Sequence, residues 1–406
     1  MTSRDRLAPS SRSVRARADA GTKRLPFAPA ALAVLTALLP LSVSAHDVRV
    51  RRPLRLPRVA GFLALQCDLH THTVFSDGLV WPDVRSEEAW REGLDAIAIT
   101  DHVEYLPHRR DLPPNLERSW EIAAPLGEKL GLVVVKGSEV TRKMPPGHFN
   151  ALFLRDVCPL ETPDWRDALR AARSQGAFLV WNHPAWRGHQ KDGVARWYPE
   201  HDELLREGLL DAIEVVNERV YSPEAHRWAI EKGLAVVAGS DVHEPTGLSW
   251  LVHEGDRRPV TLVFAKGRGE EAIREALLAR RTAALGGGTL VGSADLLGPL
   301  VDAALEVENP KVAIRAGSSA WLRVRNDSGL RLVLSGPGEA GGLSTQREVV
   351  IAADGTSLVE LSVPKGATPG LRSVPLPFTV TNAKVTPEEG LEIAFAVDVE
   401  ILPPTP

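Results

Sequence analysis

The chain has 406 residues, a length that predicts two or three domains, and its 44% hydrophobic and 25% charged residues are typical of globular proteins and unlike disordered or collagen-like chains. Its formal net charge is −4, and its two cysteines, Cys67 and Cys158, are too few for a disulfide scaffold or a cysteine-rich zinc fold. Any metal site must therefore use histidine and carboxylate ligands.

The charge is unevenly distributed along the chain. Residues 1–45 hold seven Lys/Arg and two Asp and carry +5, which leaves −9 for the 361 residues that follow. Stable binding to nucleic acids relies on many contacts between Lys/Arg side chains and phosphates. The acidic body of the chain therefore argues against a nucleic acid as a stable partner.

The first 45 residues have the parts of a secretory signal peptide. A basic stretch ends at Lys23-Arg24, an uncharged run extends from Leu25 to Ala45, and its last residues are small. Three prolines shorten the apolar helix below the roughly 20 residues of a membrane span, although an uncleaved anchor is the alternative. We expect cleavage after Ala45, a linker over residues 46–61, and an exported protein, periplasmic or secreted, with no membrane span after signal removal.

Residues 62–290 alternate short apolar runs with helical patterns. The runs that predict strands are 96–100, 132–135, 177–180, 212–216, 234–238 and 260–264, and the helical patterns include 86–92, 165–174 and 270–280. Strands that are apolar on both faces and alternate with helices predict β/α units around a parallel sheet or barrel. In such folds the active site lies at the carboxyl ends of the strands.

From about residue 297 to 406 the pattern becomes rich in short strands separated by turn residues. This pattern predicts a small all-β domain, sandwich-like, with the boundary near Gly286-Gly287-Gly288. The region contains no histidine, and we assign it no chemistry.

Histidines and acidic residues follow the predicted strands in succession. They are His70, His72, Asp77, His102, Glu139, His148, His183, Asp241 and His243. One pair of histidines two residues apart is weak evidence, but nine such positions spread over successive strand ends indicate a multinuclear hydrolytic centre for Zn²⁺, Mn²⁺ or Fe²⁺. His148 follows a loop, so a histidine that binds substrate is the alternative for that position.

These motifs identify a family resemblance. Asp68–Gly78 (DLHTHTVFSDG), Ile99–His102 (ITDH), Gly137–Thr141 (GSEVT), Asn182–Pro184 (NHP) and Ser240–His243 (SDVH) resemble the PHP (polymerase and histidinol phosphatase) family over about residues 65–265. The resemblance implies a distorted (β/α)₇ TIM-like barrel with two or three divalent metal ions. The segments around Asp77 and Glu139–His148 are similar to the exported branch of the family that hydrolyses organophosphate diesters.

The resemblance also implies a ligand set for each metal. His70, His72, Glu139 and Asp241 would hold the first ion. Glu139 would bridge to a second ion held by His148 and His183, and Asp77, His102 and His243 would hold a third. Asp77 stands where many family members have histidine.

We expect a metal-dependent phosphoesterase that hydrolyses phosphodiesters of small organic substrates by a metal-bridging hydroxide. Asp101 and Asp68 are expected to orient histidine rings, with Asn182 and Glu214 as further candidates. Arg142 and Lys143 are the candidates for binding the substrate phosphate, against a solvated loop. Trp181 and Trp186 line an apolar ester pocket or belong to the core.

Several alternatives stay open at this point. The same chemistry serves a phosphomonoesterase, a nuclease or a metal-dependent amidohydrolase, because an activated water also attacks carbonyl groups. A binding protein built on an inactive barrel is the non-enzymatic alternative, and the nearly complete ligand set argues against it. The oligomeric state is not predicted.

Overall fold

The computed structural model describes residues 50–405 of the chain. The predicted signal peptide, its cleavage site and the start of the linker lie outside the described residues. Within the described part, no helix combines the length and the apolar character that crossing a membrane requires.

The first domain is a barrel of strands with helices packed around it. Its strands are β1 (Leu63–Asp68), β2 (Ala96–Ile99), β3 (Val133–Val140), β4 (Phe149–Leu152), β5 (Phe178–Trp181), β6 (Ala212–Asn217), β7 (Val220–Tyr221), β8 (Ala235–Gly239), β9 (Val260–Ala265), β10 (Thr282–Gly286) and β11 (Thr289–Gly292). The helices are α1 (Pro82–Arg91), α2 (Arg118–Leu130), α3 (Trp165–Ser174), α4 (Pro199–Arg206), α5 (Pro223–Lys232), α6 (Thr246–Ser249), α7 (Glu270–Leu278) and α8 (Ala294–Ala304).

The sheet runs in the order β9-β1-β2-β3-β4-β5-β6-β8. The pairs β1–β2, β2–β3, β5–β6 and β6–β8 are parallel, whereas β4 is antiparallel to both of its neighbours and β9 is antiparallel to β1. The hydroxyl of Thr261 on β9 donates to the carbonyl of Ala238 on β8 (2.9 Å) and accepts from its N–H (3.0 Å). These bonds join the two ends of the sheet, so the six predicted strands and the distorted barrel are confirmed.

Hydrophobic burial explains why these segments form the barrel. All four residues of β2 are buried, and strands buried on both faces read as continuous apolar runs. Leu65, Cys67 and Val263 pack inside the barrel, and α3 buries Ala168 and Leu169 against its outside. The polar side chains that remain buried therefore gather at the strand ends, where they can contact one another.

The second domain is a sandwich, as predicted, and its strand pairs are antiparallel except for Lys311–Arg315 with Gly390–Leu402, which is parallel. Its strands are β12 (Leu305–Val307), β13 (Lys311–Arg315), β14 (Ser319–Asn326), β15 (Leu332–Ser335), β16 (Glu339–Ala340), β17 (Leu343–Thr345), β18 (Glu348–Ile351), β19 (Gly355–Ser362), β20 (Gly370–Lys384) and β21 (Gly390–Leu402). One layer has the order β12-β14-β19-β17-β16, and the other contains β13, β21, β20, β15 and β18. Alternating burial along β14 places Leu322 and Val324 in the shared core.

The expected domain boundary coincides with a hairpin turn. Gly287 and Gly288 connect β10 to β11 with positive φ angles of 57° and 76°, the conformation that a two-residue hairpin turn requires. Strand β11 then pairs in parallel with β20 of the sandwich, so the barrel and the sandwich share a sheet at this place.

Candidate metal centre

Two histidines that follow β1 form the middle of the site. His70 and His72 are fully buried, and their Nε2 atoms lie 3.1 Å apart because alternate residues of an extended chain face the same side. Asp241 follows β8, and its Oδ1 atom lies 3.2 Å from His70 Nε2 and 3.1 Å from His72 Nε2. Glu139 Oε2 on β3 lies 3.7 and 3.5 Å from the same two nitrogens. The structure thus brings together the four residues expected at the first metal.

Glu139 also faces a second pair of histidines. Its Oε1 atom lies 3.1 Å from His148 Nδ1 and 3.4 Å from His183 Nε2. His148 lies directly before β4 and His183 follows β5, so an antiparallel strand and a parallel strand deliver the two rings. The two oxygens of one buried carboxylate therefore face two different sets of nitrogens, the arrangement needed to bridge two ions.

A third set surrounds Asp77. Its Oδ1 atom lies 3.4 Å from His102 Nε2 and 3.1 Å from His243 Nε2, and His72 Nδ1 lies 3.9 Å away. His102 connects this set to the middle of the site, since its Nδ1 atom lies 2.8 Å from Glu139 Oε2. All nine residues belong to overlapping groups in which the donor atoms lie within 4.8 Å of one another.

The imidazole rings keep the carboxylates ionised. Burial opposes ionisation of Glu139, but the surrounding rings, His102 foremost, hold its pKa well below its usual range. Burial opposes ionisation of Asp241 too, and His70 is the strongest of the rings that hold its pKa low. The pKa of Asp77 is also lowered, through His102 and His243. The site therefore presents anionic oxygens to any bound cation.

These donors fit divalent metal ions. Glu139 Oε2 is buried and has no hydrogen-bond partner of good geometry among the described residues; the nearest nitrogen, His102 Nδ1 at 2.8 Å, also lies 2.6 Å from Thr141 Oγ1. The Nε2 atoms of His70 and His72 point at each other, which requires a proton or a cation beside them. Nitrogen and carboxylate donors without sulfur suit Zn²⁺, Mn²⁺ or Fe²⁺. The donor sets indicate divalent metals, and the number and identity of the ions stay predictions.

Glu214 and Asn182 position the metal-binding groups. His70 donates from Nδ1 to Glu214 Oε1 (2.8 Å), which leaves the lone pair of His70 Nε2 directed at the centre. Glu214 Oε2 accepts from the backbone N–H of His183 (2.7 Å) and from Asn217 Nδ2 (2.9 Å). Asn182 Nδ2 donates to Glu139 Oε1 (2.8 Å). The carboxylate of Glu214 therefore connects the segments of His70 and His183, and the amide of Asn182 orients the carboxylate of Glu139.

Asp101 and Asp68 have other partners than the expected ones. Asp101 accepts from Thr73 N, Thr73 Oγ1 and Ser76 Oγ, each at 2.7 Å, and so holds the loop that leads to Asp77. Asp68 accepts from Ser240 Oγ (2.5 Å), from the N–H groups of Ser240 and His70, and from Arg258 Nη1 (3.0 Å). Among the described residues neither carboxylate hydrogen bonds a histidine ring. Both support the backbone of the site.

Arg142 and Lys143, the predicted phosphate-binding residues, differ in their contacts: Arg142 is paired and Lys143 is exposed. The guanidinium of Arg142 pairs with Glu104 and donates to the Thr162 carbonyl at 2.7 Å, so its charge is compensated within the loop. Lys143 is exposed to solvent. The position of Arg142 therefore corrects the expectation that it is free to bind substrate, because a carboxylate already holds it.

The two tryptophans beside His183 have different roles. Trp181 is fully buried and stacks on His201 with ring centroids 3.8 Å apart, so it belongs to the core. Trp186 is 48% exposed and lies 5.5 Å from the ring of His183. It lines a cavity of about 310 Å³ together with Arg187 and Glu218. Trp186 is thus in position to contact a group bound beside the metal centre.

His189 is a residue of the site that the sequence motifs do not reveal. Its ring lies 4.8 Å from those of His148 and Trp186. Its Nδ1 atom is buried and has no hydrogen-bond partner within the described part of the chain. Only the loop after β5 brings His189 here, six residues beyond His183, and no periodic pattern in the sequence marks that approach.

Comparison with known proteins identifies both domains. Residues 305–396 match the family model of an Ig-like domain (DUF5001). The structure is similar to that of a two-domain protein of Bacteroides vulgatus that contains a predicted PHP-like metal-dependent phosphoesterase. The two chains are 40% identical with a TM-score of 0.80, over 86% of this chain and 99% of the other. No curated protein matches the chain.

Two other solved structures are similar over a smaller part of the chain. A Bifidobacterium adolescentis protein described as a metal-dependent phosphoesterase is 20% identical over 45% of this chain and 89% of its own, with a TM-score of 0.34. A Chromobacterium violaceum amidohydrolase is 17% identical over 44% of this chain and 88% of its own, with a TM-score of 0.32. Similarities of this size carry no conclusion about activity. The Bacteroides similarity, which spans both domains, shows that the chain belongs to the PHP-like metal-dependent phosphoesterases.

Proposed function

We propose that the protein is a phosphodiesterase for small organic diesters. The observation that carries the proposal is the overlap of three donor sets around Glu139 and Asp77, with a cavity of about 310 Å³ beside them. A diester needs a cationic site for its single negative charge and space for two organic groups. The metal centre offers the cationic site, and the adjoining cavity offers part of the space for the organic groups.

The lining of the cavity favours a diester over a monoester. Arg187 lines the cavity and has no carboxylate partner among the described residues. Glu214 and Glu218 line the same cavity and add negative charge. A monoester carries up to two negative charges at neutral pH and would be repelled more strongly than a diester. Trp186 and Val220 are exposed apolar surfaces in the same cavity and would contact an ester group.

The metals and the protein contribute different parts of the proposed reaction. Bound divalent metals would polarise the phosphoryl group, activate water near neutral pH and stabilise the leaving oxygen. Glu214 holds the lone pair of His70 Nε2 toward the centre, and Asn182 fixes the bridging carboxylate. His189 is partly exposed and its ring lies 4.8 Å from that of His148, so it would donate a ring N–H to a phosphoryl oxygen bound there.

A panel of chromogenic substrates tests the proposal. The metal-loaded protein is assayed with bis(p-nitrophenyl) phosphate, with p-nitrophenyl phosphate and with a p-nitroanilide amide. We expect the highest kcat/KM for the diester. Faster hydrolysis of the monoester would replace the proposal with a phosphomonoesterase, and turnover of the amide alone would replace it with an amidohydrolase. Short oligonucleotides added to the panel would reveal nuclease activity, which the charge of −9 after residue 45 does not favour.

We also propose that the protein is exported. The basic and apolar segments before residue 46 support this, although they lie outside the described residues. Amino-terminal sequencing of the protein recovered from the periplasm or medium should begin at His46. An intact Met1 on the exported protein would contradict cleavage.

A further inference from the structure

A second cavity, of about 280 Å³, lies between the barrel and the sandwich. None of the nine metal-binding candidates lines it. Its walls come from the segment before β1, the turn between β10 and β11, and the residues that lead into β15. Asn382 fixes these walls to each other, since its Nδ2 atom donates to the Gly288 carbonyl (2.9 Å) and the Arg331 carbonyl (2.8 Å). The cavity is therefore a preformed feature of the junction between the domains.

The walls of this cavity are mostly apolar, and the buried polar side chains among them, Gln66, Glu92 and Arg258, are already hydrogen-bonded. Leu54, Leu94 and Val260 of the barrel side are buried and line it, and Leu330 and Leu332 line it from the sandwich side. Apolar walls without polar partners favour a hydrocarbon or aromatic group over water. The volume is close to the lower end of the roughly 300–1,000 Å³ found for small-molecule sites, which occur preferentially at domain interfaces.

The rim of the cavity is cationic. Arg52, Arg257 and Arg331 line it, and none of them pairs with a carboxylate among residues 50–405. Burial lowers the pKa of Arg257, although the nearby Glu92 and Asp354, which pair with other arginines, oppose this shift. Arg257 donates from Nη1 to the carbonyls of Arg52 (3.2 Å) and Glu92 (3.4 Å), so three guanidinium groups without a carboxylate partner among the described residues surround a mostly apolar interior.

The acidic residues at the cavity do not neutralise this rim. Glu92 makes a bidentate pair with the buried Arg258, both bonds at 2.8 Å, and Arg258 also donates to Asp68. Asp256 lies 2.6 Å from Arg219. Both carboxylates that line the cavity are therefore paired already, and the free charge of the lining is positive.

We infer that this cavity binds a small anion with an apolar body, such as a medium-chain carboxylate. A planar guanidinium binds carboxylate or phosphate groups in a bidentate manner, and the apolar walls take up the remainder of the molecule. The site is separate from the metal centre and does not depend on the proposed phosphodiesterase activity.

Three probes with the same tail and different head groups test this inference on the full mature chain. Octanoate, 1-octanol and octylammonium are titrated by isothermal calorimetry. We expect one site per chain, with octanoate bound at least tenfold more tightly than 1-octanol and octylammonium the weakest. Equal affinity for octanoate and 1-octanol, or no saturable binding of octanoate, would overturn the inference.

Substitutions locate the site. Arg257→Gln and Arg331→Gln should each weaken octanoate binding about tenfold, the size expected for one lost charged hydrogen bond, and leave 1-octanol binding unchanged. Arg315→Gln removes an exposed, unpaired arginine of β13 outside the cavity and should change nothing. Because the two variants lie in different domains, one of them remains informative if the other does not fold. Competition between octanoate and bis(p-nitrophenyl) phosphate would place the anion at the metal centre and refute the site.

Discussion

Glu214→Gln should weaken metal binding by about 10- to 100-fold. The carboxylate accepts from His70 Nδ1 with one oxygen, and from the backbone of His183 and from Asn217 with the other. Glutamine has a single oxygen, so its NH₂ group must face at least one of these donors, and at least one buried hydrogen bond is lost. A hydrogen bond to a charged group contributes about 1.5–3 kcal/mol, which corresponds to about 10- to 150-fold. In other metal sites, loss of a side chain that orients a metal ligand typically lowers metal affinity by about 10- to 100-fold, which agrees with this range.

Metal affinity is the quantity to measure for this variant. The metal-free protein is titrated with Mn²⁺ or Zn²⁺, and the metal bound after dialysis is quantified by mass spectrometry. Glu231→Gln is the matched control, since Glu231 is exposed at the end of α5 and should leave affinity unchanged. Wild-type affinity in Glu214→Gln would refute the positioning role derived from these contacts. An equal loss in both variants would show a general effect of the substitution.

Three further changes test other parts of the site. Glu139→Gln should abolish hydrolysis of bis(p-nitrophenyl) phosphate and lower the number of metal ions bound, because it removes the buried carboxylate shared by two donor sets; retained turnover would contradict the bridging assignment. Arg142→Gln should change KM less than twofold, because Glu104 already compensates that charge; a tenfold rise would restore Arg142 as a phosphate ligand. Metal binding should release protons: Glu139 and Asp77 raise the pKa of His102 to about 10 although burial opposes it, so this ring is protonated at pH 7 without metal. Metal affinity should therefore rise with pH from 6 to 9. Calorimetry in buffers of different ionisation enthalpy would count the protons released on metal binding. Release of no protons would refute the placement of His102 among the metal ligands.

The barrel could be predicted because its strands are buried on both faces. Runs such as 96–99 are apolar throughout and 212–216 is apolar except for Glu214, and they match β2 and β6 closely. Strand β4 was harder to recognise, since Phe149–Leu152 has only four residues, includes the buried Asn150 and runs antiparallel to its neighbours. For this reason the sequence shows only that His148 follows a loop, and the structure adds that it lies directly before a short strand.

The cluster of candidate metal ligands could be predicted because most of them belong to short motifs that follow a strand, and their binding of metal stays a prediction. Their hydrogen-bond partners could be predicted only in part: Glu214, a candidate from the sequence, contacts His70, but bonds between distant segments leave no local pattern. Asp101 adjoins His102, but its carboxylate turns to Thr73 and Ser76. Glu214 lies far along the chain from His70, and only the parallel arrangement of the strands brings the two side chains within 2.8 Å.

The most direct test of the proposed function is the metal dependence of diester hydrolysis. The mature chain is stripped of metal with a chelator, dialysed, and assayed with bis(p-nitrophenyl) phosphate before and after addition of Mn²⁺, Zn²⁺ or Fe²⁺. We predict no turnover of the metal-free protein and recovery of diester hydrolysis with at least one of these ions, saturating at two or three ions per chain. Full activity of the metal-free protein, or no diester hydrolysis with any of the ions bound at the site, would contradict the account.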